Sequence, residues 1–275
     1  MTLPTNFQFS QASLQDYADC PRRFQLRYVQ RVAWPAPEAE PALKNERHLQ
    51  RGAAFHRLVH QHALGLPPER LTDAVPDDLL PWWRNYMEHG PPNLPDTRYP
   101  EVLLSAPVGD YRLLAKYDLV AIDPAQKAII VDWKTSHKRT ARKWLTQRLQ
   151  TRVYPYLLVR AGAHLNTGQP FAPEQVEMIY WFANFPENPE RFIYAEAQFK
   201  RDEADLITRI TEIAGVGDEN WPLTSQERSC GYCPYRSLCQ RGVRASPLDE
   251  IQDTLETNDD FDIAIDFEQI AEIEY

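Results

Sequence analysis

The sequence predicts an α/β domain built on a mixed sheet. Three observations carry that expectation: helical periodicity in the first ninety residues, strand-like patterning over 100–134 and 175–197, and helices interleaved between those strands. Cysteines stand near both ends of this order, at Cys20 and at Cys230, Cys233 and Cys239.

The elements follow in sequence. Ser10 can cap a helix through Leu14, Tyr17 and Cys20, which Pro21 would interrupt. A second helical stretch covers Phe24–Val29, followed by a proline-rich loop at 34–41. Residues 46–64 read as a helix with Phe55, Leu58, Val59 and His62 near one face, stopped by Gly65 and the double proline 67–68. A further helix over 77–88 should start near Pro81. The pattern then changes to strands over 100–107, 111–122 and 127–134, with turn residues between them. Residues 140–161 return to a helix. Residues 175–185 and 191–197 read as strands, and 198–215 as an amphipathic helix with Leu206, Ile207, Ile210 and Ile213 on its apolar side.

Composition bounds the function. At 275 residues, 43% hydrophobic and 25% charged, the chain is long enough for a sizeable core and too apolar for general disorder. No apolar run approaches the ~20 residues that span a bilayer, so no membrane partner is expected. No basic and apolar leader is visible, so a cytoplasmic location is expected. Four cysteines are too few for a disulfide scaffold and read better as metal ligands or core residues.

The net charge of −9 is unevenly spread. Residues 248–275 hold 11 acidic and no basic residues, which leaves 1–247 with 28 acidic and 30 basic. The expected division is a domain over 1–247 and an acidic tail over 248–275, whose stretch 259–268 alternates acids with Phe261, Ile263, Ile265 and Phe267. One basic patch stands out: Lys138, Arg139, Arg142, Lys143, Arg148 and Arg152, with no acid among residues 138–152. Local patches decide partners more than the sum does.

The most informative segment is 111–136. Asp123-Pro124-Ala125-Gln126 is a turn sequence. A hairpin closed there pairs residues whose numbers sum to about 249–250, so Asp118 and Asp132 should lie opposite each other. Residues two apart on a strand share a face, which puts Lys134 beside Asp132 and turns Trp133 away. Two close carboxylates repel unless a cation sits between them or one is protonated. Hard divalent ions bind through such carboxylates, water and phosphate. A surface salt-bridge cluster is the alternative from spacing alone.

These residues resemble a known pattern. "LLAKYDLV" followed by "VDWKTS" resembles the core of the PD-(D/E)XK nuclease superfamily, in its RecB-like branch. Gly52-Ala-Ala-Phe-His56 resembles the upstream G-x-x-x-H helix motif, and Gln150-Thr-Arg-Val-Tyr154 the downstream Q-x-x-x-Y helix motif. "YADCPRRFQLRYV" with Cys230-x2-Cys233-x5-Cys239 resembles the iron–sulfur staple of CRISPR-associated RecB-like nucleases and the AddB nuclease domain. The likeness covers roughly 8–242. Ala115-Lys116 departs from the usual Gly-Arg, a change expected to affect packing and not chemistry.

The resemblance implies a restriction-endonuclease-like mixed central sheet flanked by helices, with N- and C-terminal segments joined by a four-cysteine cluster. It implies Mg²⁺ or Mn²⁺ held by His56, Asp118, Asp132 and the carbonyl of Trp133. Lys134 would position water or stabilise phosphate charge, with Gln150 and Tyr154 orienting it. Cys20, Cys230, Cys233 and Cys239 would hold a [4Fe–4S] cluster, with zinc the alternative. Arg22, Arg23, Arg228, Arg236, Arg241 and Arg244 would neutralise thiolates or meet phosphates. The implied activity is phosphodiester hydrolysis in DNA, exonucleolytic on single strands, in repair, recombination or defence, with a helicase or defence complex as protein partner. Trp133, Trp144, Tyr154 and Tyr156 offer rings to unpaired bases or to the core. His60 and His62 read as surface or packing residues. The other class of function is a non-cleaving nucleic-acid-binding or assembly subunit with the same fold.

Overall fold

The computed structural model describes residues 3–33, 42–217, 221–231 and 233–242. The proline-rich loop 34–41, Arg244 and the acidic tail lie outside the described residues. The elements run in this order: β1 (Gln8–Ser10), α1 (Gln11–Asp19), α2 (Pro21–Phe24) continuing as a π-helical turn to Val29, α3 (Ala42–Ala63), α4 (Pro68–Ala74), α5 (Leu80–His89), β2 (Thr97–Val108), β3 (Tyr111–Asp123), β4 (Lys127–Lys134), α6 (Arg142–Gln147), α7 (Leu149–Ala161), β5 (Val176–Phe182), β6 (Glu190–Ile193) and α8 (Glu196–Ala214).

Six strands form one mixed sheet. β3 pairs antiparallel with β2 along its length, parallel with β1 at its start and antiparallel with β4 at its end. β4 continues in parallel with β5, and β5 is antiparallel to β6. Helices cover both faces. Phe55, Val59, Trp82 and Trp83 of α3 and α5 pack on Leu119, Ile129, Val131, Trp133, Ile179 and Trp181. Val153, Leu157 and Leu158 of α7, with Leu206 and Ile210 of α8, pack on Tyr117, Val120, Ile130, Met178 and Tyr180. Both faces of β4 and β5 are therefore apolar, as buried parallel strands require.

Ser10 caps α1 as expected: its side chain accepts from Ser13 N–H, and the Ser13 hydroxyl group returns a contact to Ser10 N–H at 2.9 Å. The 123–126 turn closes with Gln126 N–H donating to Asp123 O at 3.0 Å. Ala125 sits there at φ +61°, the left-handed region that a β-carbon disfavours. Asn166 Oδ1 accepts its N–H and Gln175 Nε2 donates to its carbonyl, so contacts from outside the turn hold it.

Several boundaries differ from the sequence expectation. The helix expected over 140–161 is two helices, because Arg148 is extended (φ −69°, ψ 139°) between α6 and α7. The strand expected over 191–197 ends at Ile193, and α8 begins at Glu196. Ile207 is 41% exposed, so it leaves the apolar side assigned to it on α8. β1 and α4 carry too short a pattern to be read in advance.

Candidate active site

The site forms where β3 and β4 part. Their ladder runs from Asp123↔Lys127 to Leu119↔Val131 and stops there, so the pair sums to 250 as the turn required. Asp118 and Asp132 are the next residues on each strand. Beyond this point β3 turns to β1, at Leu114↔Ser10, while β4 stays with β5 through Lys134↔Phe182. The sheet opens between them with a carboxylate on each lip.

A shift in strand pleat places Asp118. Leu113, Ala115 and Tyr117 share the α7 face with Val120 and Ile122, so the alternation slips by one between 117 and 120. The partner strand slips at the same level. Glu101 has φ +54°, and Leu104 and Ala106 share with Tyr99 the same α7-side core. Glu101 and Asp118 are the opposed pair missing from the β2–β3 ladder, whose register is the same on either side of them. Glu101 forms an ion pair with Lys116. Sequence reading missed Glu101: nothing local marks a glutamate with positive φ in a strand.

Asp118 then has two partners from different elements. Its Oδ2 accepts the Trp133 backbone N–H at 2.9 Å, which locks β3 to β4 one step beyond the ladder. Its Oδ1 lies 3.2 Å from His56 Nδ1 on α3. Burial alone would raise the Asp118 carboxyl. His56, the Trp133 N–H and the Lys134 ammonium outweigh it and hold Asp118 below its ordinary value.

Asp132 is 3% exposed and belongs to a different network, on the α7 side. Gln150 Nε2 donates to its Oδ1 at 2.6 Å, and Gln150 Oε1 accepts from Lys134 Nζ at 3.2 Å. Lys134 Nζ stands 2.9 Å from Asp132 Oδ2 and 5.6 Å from the Tyr180 ring centre. Burial, and secondarily the Asp118 charge, push Asp132 up to about 7 against the pull of Lys134. Asp132 Oδ2 is sealed from solvent, with the Lys134 ammonium as its ion-pair partner.

The residues fit a hard divalent cation. Two carboxylates that repel each other, one with a sealed acceptor, and an adjacent imidazole are the donor types such ions take. Among the described residues no three His, Cys, Asp or Glu side chains are drawn in to metal-ligand spacing.

The remaining motif residues are placed as follows. Tyr154 is 2% exposed; its ring lies 4.8 Å from that of Tyr117, and its carbonyl accepts the Tyr117 hydroxyl at 2.8 Å. It supports the residue next to Asp118 from below. Trp133 packs into the opposite layer, 5.6 Å from Trp181. His62 Nδ1 meets the Tyr86 hydroxyl at 2.9 Å, a packing role as expected. A pair the sequence did not suggest closes the loop after Lys134 onto α3: the rings of His48 and His137 are 4.3 Å apart. Burial, His137 and Arg51 lower His48 to about 4, so it is neutral there.

The basic patch divides. Arg139 and Arg142 both hold Glu190 of β6, Arg142 at 2.8 Å. Arg152 binds Asp202 and Asp205 of α8 at 2.6 and 3.0 Å. Arg148 is buried, while Lys138 and Lys143 are exposed.

The cysteines are brought to one end of the molecule. All four are free thiols. Burial, with each other's charge as a further cause, raises Cys230, Cys233 and Cys239, and Cys20 acts on all three. Around them Arg22 N–H donates to Pro222 O at 3.2 Å, Phe24 stacks on Trp221, and Tyr235 donates to Val32 O. Arg23 pairs with Asp16 and Asp19, and Arg236 donates to the Cys233 carbonyl. Among the described residues no three of these thiols are drawn in to metal-ligand spacing.

Comparison with known proteins fits this architecture. A family model of the PD-(D/E)XK nuclease superfamily matches residues 8–240. No curated protein matches the chain in sequence. Among solved structures the chain is similar to SSO0001, at 15% identity and a TM-score of 0.40, over 84% of this chain and 85% of that one. It is also similar to a candidate exonuclease from Eubacterium rectale, at 9% identity and a TM-score of 0.45, over 75% of this chain and 79% of that one. No helix among the described residues is long and apolar enough to cross a membrane. The family match runs from β1 through the last of the four cysteines, and so spans the parted strands, both networks and the thiol cluster: the chain belongs to the PD-(D/E)XK nuclease superfamily.

Proposed function

We propose that the chain is a metal-dependent deoxyribonuclease of the RecB-like branch, hydrolysing phosphodiester bonds from the end of single-stranded DNA. The observation that carries the reading is the pair of carboxylates where the strands part, Asp118 beside His56 and Asp132 beside Lys134, close enough for the Asp118 charge to raise Asp132. A purely structural descendant of the fold would have no need to keep two repelling carboxylates there. Mg²⁺ or Mn²⁺ would be held by His56, Asp118, Asp132 and the Trp133 carbonyl. Bound there, it would supply Lewis-acid polarisation of phosphate and a more acidic water.

The chain's own residues do the rest. His56 and the Trp133 N–H keep Asp118 ionised and aimed. Gln150 fixes the Asp132 carboxylate and the Lys134 ammonium relative to each other. Lys134 brings a positive charge to the negative charge that builds on phosphate during displacement. Lys138 and Lys143 supply cations for the DNA backbone, while Arg139 and Arg142 hold Glu190. Arg148 and Arg152 serve the fold. Cys20, Cys230, Cys233 and Cys239 would hold a [4Fe–4S] cluster, with zinc as the alternative occupant. The pathway served is repair, recombination or defence, in company with a helicase or defence complex.

The deciding experiment is cleavage of end-labelled single-stranded DNA with Mg²⁺ or Mn²⁺, wild type against a folded Asp132→Ala protein. Metal-dependent shortening of the strand, lost in the variant, is expected. Undiminished cleavage by Asp132→Ala would overturn the assignment.

A further inference from the structure

Among the described residues one tryptophan departs from the burial of the others. Trp82, Trp83, Trp133, Trp181 and Trp221 are no more than 6% exposed, whereas Trp144 is 50% exposed. It is the one aromatic among the large hydrophobic residues left exposed in the described part of the chain. A tryptophan carries a large apolar surface and a flat π face that can take a stacking partner.

Its position says what occupant. Trp144 is on α6, in the segment that joins Lys134 at the end of β4 to Gln150 at the start of α7. Both ends of that segment belong to the Asp132 network. The segment itself is pinned. Leu145 is buried in the core beneath it. Arg139 and Arg142 hold Glu190, and the Arg142 guanidinium lies 4.3 Å from the Phe192 ring centre. Lys138, Lys143 and Trp144 are exposed on the same segment.

We propose that Trp144 is a stacking platform for an unpaired nucleobase beside the site, with Lys138 and Lys143 meeting the phosphates on either side of that base. The proposal rests on the nuclease reading and adds its selectivity. An unpaired base has free π faces, while a base within a duplex has both covered by its neighbours. A platform of this kind therefore favours single strands and tolerates any sequence, because every base has a π face. The two lysines supply salt-dependent attraction that does not distinguish strands.

The test uses the full chain carrying Asp132→Asn, so that the strand survives measurement. Its affinity for a labelled oligodeoxynucleotide is compared with its affinity for an abasic strand of equal length and equal phosphate count. Trp144→Ala should weaken binding of the normal strand roughly 5- to 150-fold, the span of one lost base–aromatic stack. It should leave the abasic strand within about twofold, and Trp144→Phe should keep most of the affinity, since a phenyl ring still stacks. Duplex binding should not move. A melting curve matching the parent confirms the fold of each variant. Unchanged affinity in Trp144→Ala, or an equal loss on the abasic strand, overturns the platform and leaves the nuclease reading standing. A wild-type protein that neither binds nor cuts DNA overturns the nuclease reading, and the platform with it.

Discussion

Gln150 and Asp132, eighteen residues apart on different elements, are joined by a 2.6 Å hydrogen bond from Nε2 to Oδ1. The other end of the same amide accepts from Lys134, so one side chain sets the distance between the acid and the base of the site.

Replacing that amide should separate positioning from binding. A hydrogen bond to a charged group contributes about 1.5–3 kcal/mol, or roughly 10- to 100-fold in rate if it acts on the transition state. Gln150→Ala should lower kcat by that factor with KM within about threefold. Steady-state kinetics on labelled single-stranded DNA is the check, with circular dichroism to confirm the fold. A change confined to KM would move Gln150 from positioning to substrate binding.

The raised Asp132 carboxyl gives a pH signature. In the metal-free fold it keeps its proton at pH values where the unfolded chain has lost it. Its contribution is therefore full near and below the ordinary carboxylate value and declines as pH rises toward about 7. Asp118, lowered in the fold, contributes with the opposite sign and at lower pH. Metal-free melting temperature should fall across pH 5–7, and Asp132→Asn should flatten that slope. Because a cation must displace the Asp132 proton, Mn²⁺ affinity should rise with pH, approaching tenfold per unit below the raised value. Titration calorimetry at three pH values settles it.

Much of this was legible in advance, and the reasons differ by residue. The hairpin register followed from Asp123-Pro124 and a period of two, so Asp118, Asp132 and Lys134 could be brought together on paper. Gln150 was found as a motif, although its contact with both charges needed the helix start that Arg148 creates. Arg148 itself has no local signal, since its extended backbone is imposed by packing. The neutralisation of Arg152 was equally hidden, because Asp202 and Asp205 lie about fifty residues further on. Glu101, His48 and His137 acquire meaning only from partners distant in sequence.

The division of the basic patch can be measured. Arg152 is the cationic partner of Asp202, which is fully buried. Arg152→Ala leaves that carboxylate only the hydrogen bonds from Tyr194 and Gln198 and should cost about 3 kcal/mol of stability, since removing one partner of a buried ion pair is expensive. Lys143→Ala should cost almost none and should weaken DNA binding with a salt slope smaller by about 1. Urea melts and binding titrations at several salt concentrations read the two effects. A stable Arg152→Ala protein with weak DNA binding would return Arg152 to the nucleic-acid surface.

The thiols make a prediction of their own. Protein purified without oxygen should be brown, with broad absorbance near ~400 nm and iron exceeding zinc. Cys20→Ala should lose the colour and melt lower than the parent, since Cys20 would be the ligand supplied by the N-terminal segment. Stoichiometric zinc without iron would make the closure a zinc site.

That closure also sets an order of events. Tyr235 reaches Val32 across 203 residues of chain, and the Phe24–Trp221 stack spans nearly as far. While the polypeptide is being made, the segment bearing Cys20 emerges first and must wait for its partners until almost the whole domain has left the ribosome. The sheet can assemble from neighbours in the meantime, as hairpins do. Contacts this distant in sequence form slowly, because chain closure must precede any gain from them. Closure at the thiols would thus follow the sheet, and a chain halted before Cys230 would hold a formed sheet, β1 included, with the Cys20 turn unfastened.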